Sequence, residues 1–465
     1  MLVRLLRLLL DVAHDLLLAL MNRGSVDIAA PAFDDKNFGL MTSLYSKYWI
    51  GAPIQGLHLA SEQALRSLLS ELCPVSRHIL HKRAVLRSGG EMNFIEISGH
   101  RPPRVGGEPR TLILTHGYAS GLGFFFNNYE KLAMKFDRVI AVDWPGMGGS
   151  SRHVTAGNKP PQRSALLSML SASLGTAVRA IPLLPAEQKE RLSQRIEASL
   201  AGSGDRAASF FVDALAELVE QEVPSGKFTL AGHSLGGYLS AQYALGAADR
   251  LEGLVLISPA GLQPLPLPAE RLPVLGHSLF LSAAKLFWAL NLTPQLFVRM
   301  YGSRGLDIVR SALQRRFSDR FKQPELLAIS KYFHSITVLP AHSEVCLNAL
   351  LVPVARSIPT GAPDPRRRGY SISLYARSPV WSDARLPRIR AVPVLLLYGD
   401  DDWLSYGGVE ADVEELNQQG MQIQFSRVEA AGHHLYLDNV ECFHATLDDW
   451  LDRKVVKATE CNKMI

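Results

Sequence analysis

Eight short apolar runs, most of them separated by helix-like stretches, constrain the fold of this chain more than any other feature. They are His81–Leu86, Met92–Ile97, Thr111–Thr115, Val139–Val142, Phe228–Ala231, Leu254–Ile257, Val394–Tyr398 and Ile423–Val428. Runs such as Thr111-Leu-Ile-Leu-Thr115 lack polar alternation, which is the pattern of a parallel strand buried on both faces. Helical stretches intervene, for example Tyr238–Ala247, Gly408–Gln419 and Glu441–Leu451. The alternation predicts an α/β fold, a mostly parallel eight-stranded sheet with helices on both faces. Two segments break the rhythm, residues 154–206 (rich in Ala, Ser and Leu) and residues 262–385 (with many prolines). Both read as insertions over one end of the sheet, and 262–385 is long enough to form a helical cap. The core is thus expected in two parts, 81–261 and 386–456. Residues 22–80 form a leader with one helix at Ser61–Leu72, and 457–465 form a tail.

Composition narrows the class. With 47% apolar and 20% charged residues over 465 positions, the chain is globular, not disordered. A net charge of +5 is too mild for its length to point to nucleic acid. Cys73, Cys346, Cys442 and Cys461 form neither a CxxC pair nor a zinc spacing, and read as reduced thiols. Residues 1–21 are leucine-rich, with Arg4, Arg7, Asp11 and Asp15 on one helical stripe. Those charges interrupt the apolar run that a membrane span or a secretory signal requires. An amphipathic helix on a membrane surface fits, as does an organelle presequence, although the aspartates disfavour the latter. The plain alternative is a helix docked on the protein's own surface.

The chemistry-bearing motifs all follow predicted strands. Gly232-His-Ser-Leu-Gly236 lies between a strand ending at Ala231 and a helix. That is the setting of a nucleophile elbow, in which Ser234 stands exposed on a turn too tight for flanking side chains. His116-Gly117-Tyr118 follows Thr115, where a loop N–H of an oxyanion hole is expected. Tyr118 and Leu235 are therefore the candidate oxyanion donors, and His116 itself reads as structural. Tyr398-Gly-Asp-Asp-Asp-Trp403 offers the carboxylate that would orient a histidine. Asp402 has the favoured offset, with Asp400 and Asp401 as rivals. In Gly432-His-His-Leu-Tyr-Leu-Asp438, His433 is the candidate base, while His434 packs or faces solvent. The order Ser234, Asp402, His433 is that of α/β hydrolases, and not of chymotrypsin or subtilisin.

On HGYASG, DWPGMGGSS, GHSLGG, YGDDDW and GHHLYLD, the chain resembles the α/β-hydrolase superfamily from about residue 90 to 455. Within it the sequence is similar to the branch holding fungal cardiolipin-specific deacylases and mammalian lysophospholipid and N-acyl-phospholipid lipases. The marks are Trp403 after the acid and the His433-x-x-x-x-Asp438 spacing. The 154–206 insertion looks more like the fungal members. That branch also includes a lipid-droplet lipase coactivator that has lost its nucleophile. Ser234 is intact here, so the resemblance implies an active serine hydrolase of (lyso)glycerophospholipid acyl esters. Cardiolipin is a candidate substrate, and a mitochondrial, peripheral membrane location is expected. Such chemistry needs no cofactor and no metal. Acyl transfer to lysophosphatidic acid is the first alternative, because an HxxxxD motif serves glycerolipid acyltransferases. A non-catalytic lipid-binding regulator is the second. Asp438 has a plainer reading, satisfying backbone N–H groups where the last helix begins.

The cap suggests a lipid substrate. Residues 279–300 are apolar around much of a helix, and Phe287 and Trp288 are candidate acyl-chain contacts. They serve equally as cap core. Arg299, Arg304, Arg310, Arg315, Arg316, Arg320 and Lys322 follow, opposed only by Asp307 and Asp319, with Phe317 and Phe321 among them. Arg315 and Arg316 are candidate contacts for an anionic headgroup or membrane surface, and a solvated basic helix is the alternative. Arg366-Arg367-Arg368 extends the same patch or sits in a disordered loop.

Overall fold

The apolar runs pair into one sheet. The computed structural model describes residues 54–99, 109–152, 203–264, 293–301, 304–357 and 370–463, apart from 383 and 407. The strands within them are β1 (Ile79–Val85), β2 (Glu91–Ser98), β3 (Thr111–Thr115), β4 (Arg138–Val142), β5 (Phe228–His233), β6 (Leu251–Ile257), β7 (Leu351–Ser357), β8 (Tyr370–Ala376), β9 (Pro393–Gly399) and β10 (Gln422–Val428). Eight of them form a sheet in the order β1-β2-β4-β3-β5-β6-β9-β10. Pairing is parallel from β4 to β10, and β2 runs antiparallel to both its neighbours.

The helices are α1 (Ile54–Leu72), α2 (Tyr129–Ala133), α3 (Ser203–Glu222), α4 (Leu235–Ala247), α5 (Pro294–Met300), α6 (Gly305–Phe317), α7 (Gln323–Thr337), α8 (Leu347–Leu350), α9 (Val409–Gln418), α10 (Leu435–Asp438) and α11 (Val440–Lys463). Helix α1 starts before the expected Ser61. That serine lies inside the helix and donates to His58 O at 2.8 Å, bonding back into the preceding turn instead of capping it. Among the described residues, no helix is long and apolar enough to cross a membrane. Helices α5 to α8 all fall within 262–385, and the same segment carries a two-stranded antiparallel sheet, β7 with β8.

The strand period of two sorts the core onto both faces of the sheet. Ile113, Ile140, Leu230, Leu254 and Leu396 point to one face, where α3, α4 and α9 pack. Leu112, Leu114, Val139, Val255 and Leu395 point to the other, against α1, α7 and α11. Since nearly every residue of β3, β4, β5, β6 and β9 is buried, these central runs carry no polar alternation in sequence.

The sheet fixes where the loops emerge. In register, Thr115 lies opposite Gly232, and Val428 opposite Gly399. The chain leaves β3 for β4 on one side and returns to β5 on the other, so strand order reverses at β3. Ligands of open α/β sheets bind at the carboxyl ends beside such a reversal. A buried carboxylate braces this edge. Asp143 accepts from Leu122 N–H at 2.7 Å, Gly149 N–H at 2.8 Å and Asn93 Nδ2 at 2.8 Å. Its neighbour Trp144 donates its indole N–H to His116 O at 2.9 Å, which ties the β3 loop to the β4 loop.

Candidate active site

Ser234 joins β5 to α4 with φ 55° and ψ −118°, a conformation that a side-chain-bearing residue adopts only under constraint. The constraint is visible. Its N–H donates to Ile257 O at 2.9 Å, and its carbonyl accepts from Tyr238 and Ala260 N–H, each at 3.1 Å. A Cβ at Gly232 would lie 2.4 Å from Gly236 O, and one at Gly236 would lie 2.4 Å from His116 O. Only glycine fits at either position, as the motif predicted.

His433 Nε2 lies 3.0 Å from Ser234 Oγ, and its Nδ1 lies 3.1 Å from Asp402 Oδ1. The ionised carboxylate can only accept, so Nδ1 carries the proton and Nε2 is left to accept from the serine. Asp402 is buried, and the same oxygen accepts from Leu404 N–H at 2.9 Å. Burial pushes its pKa up. The hydrogen bond from His433, together with that from Leu404 N–H, outweighs this and holds it below the ordinary value. Asp400 and Asp401 are exposed. Asp400 instead accepts from Ala430 N–H at 3.2 Å.

Leu235 opens α4, so its N–H has no intrahelical acceptor and lies directly beside the serine. Tyr118 is half-buried in the loop that follows β3, and its hydroxyl donates to Gln295 of α5 at 3.3 Å. His116 is structural, as expected. Its Nδ1 bonds Gly117 O at 2.7 Å and its Nε2 accepts from Trp144 N–H at 3.2 Å. Burial lowers its pKa and keeps it neutral. His434 is half-buried among Phe124, Phe317 and His233, with ring centroids 6.3, 5.8 and 5.0 Å away. Burial and the nearby His433 and Arg316 lower its pKa too.

The other candidates divide. Phe287, Trp288, Arg366-Arg367-Arg368, residues 1–21 and most of the 154–206 insertion lie outside the described residues. Arg315 is exposed on α6. Arg316, read from the sequence as a headgroup contact, is ion-paired with buried Asp438, and its guanidinium lies 4.6 Å from the Phe317 ring centroid. Arg299 does not belong to a surface patch. It is buried, with Nη1 and Nη2 at 2.6 and 2.8 Å from the two Glu344 oxygens. Phe317 and Phe321 face the core, because Val309, Leu313 and Phe317 recur every fourth residue on the buried face. Asp438 does not start the last helix. The side chain of Asn439 does so, accepting from Cys442 N–H at 3.1 Å, while Asp438 accepts from Gly432 N–H at 2.9 Å.

Sequence reasoning missed His233. It is buried, and Nε2 donates to the carbonyl of His433 at 2.9 Å. Burial, and then the neighbouring imidazoles of His433 and His434, lower its pKa strongly, so it acts as a neutral donor. Its position inside the elbow carried no separate signal. Trp403, half-exposed, lies 5.3 Å from the His433 ring, centroid to centroid.

The fold is the α/β-hydrolase fold, and the family profile described as alpha/beta hydrolase fold matches residues 110–280. The chain is similar to 1-acylglycerol-3-phosphate O-acyltransferase of Arabidopsis thaliana, 26% identical over 72% of this chain and 65% of that protein. It therefore spans just under two thirds of that relative's length. It is also similar to the human (Lyso)-N-acylphosphatidylethanolamine lipase, 22% identical over 73% of this chain and 79% of the lipase. Among solved structures, naproxen esterase (carboxylesterase NP) of Bacillus subtilis is 16% identical, with TM-score 0.48, over 84% of this chain and 97% of the esterase.

Proposed function

We propose that the protein is a serine hydrolase of acyl esters in a (lyso)glycerophospholipid. The observation that carries this is the hydrogen-bonded run from Ser234 Oγ through His433 to buried Asp402. His433 Nε2 takes the hydroxyl proton as Ser234 Oγ attacks the acyl carbonyl. Asp402 holds the imidazole in the required tautomer and stabilises the imidazolium. The N–H groups of Tyr118 and Leu235 receive the oxyanion, each worth about 3 kcal/mol. His433 then returns the proton to the leaving alcohol, which departs as a lysophospholipid or a glycerophospho-alcohol. Water, deprotonated by His433, attacks the acyl-enzyme and frees the fatty acid.

The relatives' names support the substrate class, since both describe enzymes of glycerophospholipid acyl chemistry. Exposed Arg310, Arg315 and Lys322 on and after α6, with half-exposed Trp403 beside the base, suit peripheral contact with an anionic membrane. Phe287 and Trp288 remain candidate acyl-chain contacts. Cardiolipin is the first lipid to assay, and the mitochondrion the first compartment to examine. Ser234→Ala should abolish both ester turnover and fluorophosphonate labelling while leaving the thermal melt in place. Retained hydrolysis in that variant overturns the assignment.

The name of the Arabidopsis relative favours a second reading, in which a lysophosphatidic acid hydroxyl replaces water as acyl acceptor. Acyl-CoA supplied with labelled lysophosphatidic acid separates the two, because hydrolysis yields only free fatty acid and no labelled phosphatidic acid. A wild-type protein silent to the fluorophosphonate would point to a lipid-binding regulator.

A further inference from the structure

The loop that carries the base, Glu429–His433, follows β10 and precedes the single turn of α10. It includes Ala430 at φ 50°, a left-handed conformation that needs outside support. Besides the Asn439 side chain, which donates to Glu429 O at 2.8 Å, that support comes from three directions. From the acid loop, Asp400 accepts Ala430 N–H at 3.2 Å and Asp401 N–H donates to Ala431 O at 3.0 Å. From the elbow, His233 donates to His433 O at 2.9 Å. The third direction is the cap segment. Arg320, just past α6, donates to Ala430 O at 2.8 Å. Arg316, on α6, is ion-paired with Asp438 through the same oxygen that accepts Gly432 N–H at 2.9 Å. Gly432 immediately precedes the base.

Asp438 depends on this arginine. Its side chain is 2% exposed while that of Arg316 is 40% exposed, and its second oxygen has no hydrogen-bond partner. Without Arg316, it would be a buried carboxylate held by one backbone amide, an arrangement that favours reorientation toward water.

We propose that α6 and the residue-320 turn position the general base: Arg316 acting through Asp438, and Arg320 directly, hold the Ala430–Gly432 backbone so that His433 meets Ser234. Arg316 is then a positioning residue, not a headgroup contact. This rests on the serine-hydrolase reading above. It implies that the cap assembles the catalytic loop even for substrates too small to fill the cap.

The test uses the full chain with p-nitrophenyl butyrate, a short ester with no phosphate, and the rate of fluorophosphonate labelling. In Arg316→Ala/Arg320→Ala, kcat and the labelling rate should fall roughly 10- to 100-fold with KM for the short ester little changed, as expected when a reacting group is mispositioned. Asp438→Ala should behave alike, and Asp438→Asn, which retains an acceptor for Gly432, should recover much of the loss. If Asp438→Ala fails to fold, the arginine pair, both on the surface, still decides the matter. Wild-type rates on the short ester and the probe in that double variant overturn the proposal, even if KM for phospholipid rises. Absence of labelling in the unsubstituted protein overturns the serine-hydrolase reading itself, and this inference with it.

Discussion

Asp402→Ala probes the least conspicuous member of the proposed triad. Asp402 Oδ1 accepts from both His433 Nδ1 and Leu404 N–H. Alanine removes both bonds and the charge. Without its partner, the imidazole is free to carry its proton on Nε2, where it can no longer accept from Ser234, and the imidazolium of the transition state loses its counter-ion. Removing this carboxylate from a Ser-His-Asp site lowers kcat by ~10⁴-fold, which at 1.36 kcal/mol per decade is about 5.5 kcal/mol of transition-state stabilisation. The cost to folding is smaller, about 1–3 kcal/mol for one buried N–H left unpaired. Initial rates on a short soluble ester, with a urea melt as control, separate the two effects. Asp402→Asn divides orientation from charge, because its amide oxygen can keep both bonds. Turnover within tenfold of wild type in Asp402→Ala, or an equal loss in the exposed Asp401→Ala, would refute the assignment of the acid.

Two further predictions concern stability. Glu344→Ala strands Arg299 on α5 without its buried partner, which should cost about 3–5 kcal/mol, measured by urea unfolding. Much of that should return in Arg299→Met/Glu344→Leu, where neither charge of the pair is left buried. Glu96 is held down to about 2 from an ordinary 4.5, first by its hydrogen bonds to Arg138, against some burial, and then by Lys82. A depressed carboxylate contributes stability that is present above 4.5 and is lost as pH falls from 4.5 towards 2. The contribution is about 3 kcal/mol at most. Urea midpoints across that window should fall in wild type and flatten in Arg138→Gln.

Much of the candidate catalytic edge was legible because it is written locally. A strand buried on both faces must be a short apolar run, so Thr111–Thr115 and Phe228–Ala231 declared themselves. An elbow needs Gly232 and Gly236 beside the serine, because a Cβ at either would strike backbone oxygen. The four loops expected to bear chemistry each follow a strand, and the parallel order brings their ends to one edge.

What the sequence by itself determined, then, is the layered α/β architecture and the types and order of the groups gathered at the candidate site. Both are set by burial and by turn geometry within a few residues. Only the tertiary structure decided which charge meets which. Arg316 and Asp438 are 122 residues apart, and nothing in the local composition of either pairs them. The basic run 299–322 looked uniform. Helix α6 turns some of its members outward, while Arg299 lies buried against Glu344 and Arg316 reaches the loop that carries His433. Long-range pairing depends on where the sheet order sends each segment, and that is a property of the whole chain's packing.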